Sequence, residues 1–127
     1  MEISITTQNK NGYLSIETQA NIETKEELIE QSKLLYHEFV KHPFKKILVD
    51  ERQTHLPEDI YAFFDLVKGY AEDFPATIRE YKIAVVVAPQ YKEMADTWET
   101  LCISRKLNNC AFTSLEKAEK WLLGNSK

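Results

Sequence analysis

Apolar and polar residues alternate through Ile3-Ser4-Ile5-Thr6 and again through Tyr13-Leu14-Ser15-Ile16-Glu17. Successive side chains of a strand point to opposite faces, so each stretch predicts a strand with one buried side. Gln8-Asn9-Lys10-Asn11-Gly12 lies between them. Its Asn-Gly pair supplies the positive φ of a tight turn, and the two stretches predict a hairpin.

The period then lengthens. Leu28, Ile29, Leu35, Tyr36, Phe39 and Val40 mark one face of a helix. Thr24 and Glu27 have the spacing of a capping box at its start, and Pro43 ends it near His42. Ile60, Phe63, Phe64, Val67, Tyr70, Ala71 and Phe74 recur at three- and four-residue steps opposite Glu58, Asp59, Asp65, Lys68 and Glu72. That is an amphipathic helix, with Pro57 expected in its first turn and Pro75 past its end. Tyr91, Met94, Ala95, Trp98, Leu101 and Cys102 stripe a third helix, read as core packing. Thr113 and Glu116 form a second predicted capping box, ahead of an inward-facing Ala118, Trp121 and Leu122.

Ile47 to Val49 and Cys110 to Phe112 read as compact strands. Lys82 to Ala88 is β-branched without polar alternation, which predicts a parallel strand buried on both faces. The order β-β-α-β-α-β-α-β-α predicts an α/β fold with a mixed, mostly parallel sheet packed with helices. No repeat or linker breaks residues 1–127, so a single domain is expected. Right-handed crossovers in sequential strand order place successive helices on one face. The apolar run at 83–88 then requires a reversed strand order or a partner on the second face. A homodimer through that face, or through a neighbouring helix, is the simplest form of the second option.

At 127 residues and 43% apolar content the chain can build a core without disulfides or metals. A net charge of −4, with both signs interspersed, offers no basic stripe for nucleic acid or anionic membrane. The acidic run Glu23, Glu26, Glu27 and Glu30 suits the positive end of the first helix. MEISITTQNK lacks the basic start and apolar core of a signal peptide, and the run Ile83 to Ala88 is too short to be a transmembrane segment. Cys102 and Cys110 match neither a CxxC pair nor a zinc site. The expected location is cytoplasmic, and no cofactor is expected.

The charged junction Asp50-Glu51-Arg52 through Glu58-Asp59 is the one place where chemistry gathers. Asp50 lies at the carboxyl end of a strand, where α/β sheets place ligands. A phosphoacceptor aspartate needs further acids at the end of the first strand, and those strands end in Thr-Gln and Glu-Thr. Pairing with Arg52 or Arg79 is the expectation for Asp50 instead. His55 has acids around it, but loop side chains need not converge on one metal, and no metal is expected. His37 and His42 sit on or just after a helix end, which favours an imidazole. Thr54 is the loop's one hydroxyl, and is expected to satisfy a backbone N–H before Pro57 rather than to carry a phosphate. Three glycines, at 12, 69 and 124, build no phosphate loop, and no nucleophile-base pairing is legible, so no catalytic residue is assigned.

The hairpin, the strands KKILVDE and KIAVVVAP, and the ending LNNCAFTSLEKAEKWL together resemble the SpoIIAA-like branch of the STAS fold, found in anti-sigma-factor antagonists. Phe112-Thr113-x-x-Glu116-x-Ala118-x-x-Trp121-Leu122 carries most of the likeness. The resemblance implies a non-enzymatic domain that regulates through contact with another protein. Phospho-regulated members carry Asp-Ser-(Ser/Thr)-Gly at a helix start; here the segment reads Leu56-Pro57-Glu58-Asp59-Ile60, without a hydroxyl. The expected contact surface is Asp50, Glu51, Arg52, Thr54, His55, Glu58 and Asp59, facing an unknown regulatory protein. A likeness in topology to the CRAL-TRIO lipid-binding fold implies an alternative, a small-molecule or lipid carrier with a pocket walled by Phe63, Phe64, Tyr70 and Trp98.

Overall fold

The computed structural model describes residues 2–124. Strands β1 (Ile3–Asn9) and β2 (Leu14–Ala20) pair antiparallel, as the alternation predicts. The Lys10 N–H donates to the Tyr13 carbonyl (2.9 Å), and Gly12 takes φ +97°, a backbone that a Cβ would strain. Then follow α1 (Lys25–Val40), β3 (Lys46–Asp50), α2 (Ile60–Glu72), β4 (Lys82–Val86), α3 (Lys92–Ser104), β5 (Asn108–Phe112) and α4 (Leu115–Leu122). The five strands form one sheet in sequential order, with every pair from β2 to β5 parallel.

Helix starts follow side-chain caps, and two of them differ from expectation. Thr24 Oγ1 accepts from the Glu27 N–H (3.1 Å), while Glu27 Oε1 accepts from the Glu23 N–H (3.1 Å), so the capping box closes one residue upstream of its usual donor. At α2 the cap is Asp59, whose Oδ1 accepts from the Tyr61 N–H (3.0 Å). Pro57 is therefore a buried loop residue ahead of the helix, not part of its first turn. At α4 the cap is Ser114, accepting from the Lys117 N–H (3.3 Å), so the predicted Thr113–Glu116 box does not form. Helix α3 ends with the Leu107 N–H reaching back to the Cys102 carbonyl (3.0 Å) over Lys106, which takes φ +63°. This is a Schellman-type end with lysine where glycine is preferred.

The sheet has two unlike faces. Leu14, Ile16, Ile47, Val49, Ile83 and Ala111 point to α1, α2 and α3, which lie side by side. Leu48, Ala84, Val86, Cys110 and Phe112 point the other way, against Ala118, Trp121 and Leu122 of α4. Lys82 fixes that helix: its Nζ donates to the Trp121 carbonyl (2.7 Å) and lies 4.6 Å from the Trp121 ring centroid. The Tyr13 hydroxyl adds a bond to Glu119 Oε2 (2.6 Å) from the hairpin end.

Neither expectation for the second face holds as framed. The strand order does not reverse, and α4 of the same chain covers the apolar side of β3, β4 and β5. The two-sided burial of β4 thus has its cause inside one chain, and the ground for inferring a second copy is gone.

Lys106→Gly removes a left-handed penalty of about 1 kcal/mol and is expected to raise the unfolding free energy by that amount. Leu122→Ala, at 0% exposure in the α4 cluster, is expected to lower it by about 2–5 kcal/mol. Urea denaturation with an unchanged slope checks both.

Candidate functional site

Strand alternation divides the charges at the end of β3. Asp50 follows Lys46 and Leu48 onto the α4 face, while Glu51 follows Ile47 and Val49 onto the face of the three helices. The Glu51 N–H donates to the Val86 carbonyl (2.7 Å), carrying the strand geometry one residue further.

On the outer side, Arg52 grips Asp50. Its Nε and Nη2 reach the two carboxylate oxygens at 2.9 and 2.8 Å, and its N–H reaches Oδ1 at 3.1 Å. Burial works to raise the Asp50 pKa, and these three contacts outweigh it, holding the carboxyl below its ordinary value. The expected pairing with Arg52 is the one found, which leaves Asp50 as an anchor for its loop.

The loop to α2 is pinned along its length. The Thr54 N–H donates to the Glu51 carbonyl (3.0 Å), the His55 N–H to the Ala20 carbonyl (2.9 Å), and the Ile22 N–H to the His55 carbonyl (2.8 Å). Thr54 is buried, and its hydroxyl pairs with that of Thr18 at 2.7 Å rather than with a backbone N–H. Leu56 and Pro57 also face inward. Arg52, Gln53, His55, Glu58 and Asp59 stay exposed, with His55 Nδ1 3.0 Å from the Tyr91 hydroxyl. Among the described residues no group of three or more His, Cys, Asp or Glu is placed to hold a metal.

Of the seven expected contact residues, Glu51 and Thr54 are therefore withdrawn from the surface. The ledge gains two others on α2. Tyr61 is 73% exposed and Phe64 44% exposed, with ring centroids 6.1 Å apart. Phe64 was expected to wall a pocket; it sits on the solvent edge of a stripe too broad to be buried whole. The only hint of Tyr61 in the sequence is its i,i+3 spacing from Phe64.

Behind the ledge lies a cavity of about 80 Å³ between the sheet and α1, α2 and α3. Phe63, Tyr70 and Trp98 line it, and Phe64 does not. Glu51 and Gln31 line it too. Burial, with a smaller contribution from the Asp50 charge, pushes the Glu51 carboxyl up to about 7. Gln31 is 1% exposed, and its Nε2 has no hydrogen-bond partner among the described residues. Burial also pushes the Tyr70 hydroxyl far up, beside Cys102, Ser32 and Trp98. The cavity roles of Gln31, missed in the sequence, and of Glu51, expected at the surface, each carry a signal there. Gln31 breaks the Leu28–Leu35 stripe at the i+3 position, and Glu51 continues the inward parity of Ile47 and Val49.

No protein-family model matches the chain, and no curated protein does. Solved structures do. An anti-sigma factor antagonist from Mycobacterium paratuberculosis superposes with a TM-score of 0.62 at 10% identity, over 96% of this chain and 95% of its own. An uncharacterised DUF3478-family protein from Shewanella loihica, described as having a SpoIIAA-like fold, gives 0.55 at 18% identity over 94% and 93%. The chain has a SpoIIAA-like fold. At such identities the likeness is one of architecture, and it covers nearly the whole chain. Within this SpoIIAA-like fold the segment ahead of α2, Leu56 to Ile60, holds no serine or threonine, and its cap is the carboxylate of Asp59. Among the described residues no helix is long and apolar enough to cross a membrane.

The buried acid makes stability depend on pH. Folded Glu51 holds its proton up to about pH 7, whereas the unfolded side chain releases it near 4.5. Between those values the folded state binds more protons, so stability falls as pH rises and levels off above the folded pKa. The cost is about 3 kcal/mol at pH 8. Glu51→Gln is expected to match the parent near pH 4.5 and to exceed it by that amount at pH 8, in denaturation curves measured at both values.

Proposed function

We propose that this single domain is a cytoplasmic, non-enzymatic regulator that acts by contact with another protein through the ledge from Arg52 to Phe64. The exposed, adjacent pair Tyr61–Phe64 carries the reading, since aromatic residues beside a rigid backbone supply binding energy at little cost in ordering. Glu58 and Asp59, exposed and within three residues of Tyr61, add negative charge next to the pair, while Asp65 is shared with Lys25 (3.3 Å); this suits a partner with an apolar centre and a basic edge. The anti-sigma factor antagonist among the structural neighbours supports a protein partner. A serine or threonine is missing at the start of α2, so the contact is constitutive there rather than switched by phosphate.

A photo-crosslinking residue at position 61 is expected to capture one partner in the source cell that the same residue at exposed Lys33 does not. With that partner purified, Tyr61→Ala and Phe64→Ala are each expected to weaken binding about thirtyfold by calorimetry. Affinity indifferent to both changes would move the interface away from α2. Asp59 is unsuited to this test, because its carboxylate caps the helix.

A carrier of small molecules is the second reading, favoured by the cavity with Phe63, Tyr70 and Trp98 in its wall. A cavity of roughly 150 Å³ admits benzene. The space here is about half that, so it suits a compact molecule and gives no room for a lipid chain.

A further inference from the structure

The cavity behind the ledge is apolar on most of its wall, through residues such as Leu28, Leu66 and Val85. Two polar side chains interrupt it with opposite requirements. The Gln31 Nε2 group is a donor without an acceptor among the described residues, buried to 1% exposure. A buried donor left unpaired costs more than a formed hydrogen bond returns, so the folded chain holds an open place for an acceptor atom. Glu51, 8% exposed, brings a carboxyl whose oxygens accept. Among the described residues the neighbouring cation, Arg52, turns to the other face of the sheet and is committed to Asp50.

We propose that this cavity binds a short neutral molecule with an apolar body and one head group that both accepts and donates a hydrogen bond, of the alcohol class. The head accepts from Gln31 Nε2 and donates to the Glu51 carboxyl, while the body lies among the apolar wall residues. An ammonium ion satisfies Glu51 but leaves Gln31 unpaired. A carboxylate satisfies Gln31 but sets a second acid beside Glu51. A hydrocarbon serves neither. The proposal rests on the carrier reading and narrows it to one head-group chemistry; partner binding at the ledge does not enter it.

The test titrates the full chain with ethanol, acetate, ethylamine and xenon, each smaller than benzene, followed by the NMR signals of the Gln31 side-chain amide and the Trp98 indole. Saturable shifts at both groups are expected with ethanol, at a dissociation constant on the order of 10 mM for so small a ligand. Acetate and ethylamine are expected to bind at least fivefold more weakly. Gln31→Leu keeps the side-chain size and removes the donor, and should cost ethanol about tenfold while xenon still binds. The ranking on the unaltered protein decides the matter should the variant not fold. Tightest binding by ethylamine overturns the neutral class in favour of a cation. Equal binding of ethanol by the parent and Gln31→Leu overturns the role of the amide. Xenon binding without ethanol binding overturns the proposal but keeps a small-molecule cavity. With neither bound, and only water at the Gln31 amide, the carrier reading falls as well.

Discussion

A crossover between neighbouring parallel strands turns right-handed, because a right-twisted strand feeding a right-handed helix packs back onto its sheet only that way. Here β2, β3, β4 and β5 step in one direction across the sheet, so the handedness places α1, α2 and α3 on the same face. Everything else is arranged around that imbalance. The far face of the three parallel strands is as apolar as the near one, and α4 is the element that remains to cover it. The bonds from Lys82 and Tyr13 to α4 hold the single helix where three share the work on the other side.

The same alternation that separates the faces separates two adjacent acids. Asp50 gains three contacts with Arg52 and is stabilised as an anion; Glu51 has burial and a neighbouring negative charge, and is destabilised as one. A peptide bond joins an anchor of the surface loop to the polar spot of an internal cavity. Surface and interior are thereby neighbours in sequence while lying on opposite sides of the sheet.

Period and caps made most of the architecture legible. Strand alternation, the three- and four-residue steps of the helices and the Asn-Gly turn all appear where they were read. The errors at helix starts have a local cause. Asp59 and Ser114 lie within two residues of Pro57 and Thr113, and pattern alone does not rank adjacent capping residues. Coverage of the second face was misjudged because, among the described residues, no strand follows α4 to define which side it takes. The site was harder. Charge at the junction suggested a continuous exposed surface, yet tertiary contacts with β2 bury Thr54 and strand parity buries Glu51. Phe64 fell on the wrong side because one apolar stripe was read as one buried face.

The position of α4 also bears on how the chain is assembled as it is made. Residues 115–122 emerge after every strand of the sheet, and until they dock, Leu48, Ala84, Val86 and Phe112 present a bare apolar surface. Such surfaces recruit other chains when they persist during synthesis. The half of the sheet closed by three helices can form as each crossover is completed, but the half closed by one must wait for residues 115–122. The period of exposure is therefore set by translation and by the docking of eight residues, not by the stability of the finished fold.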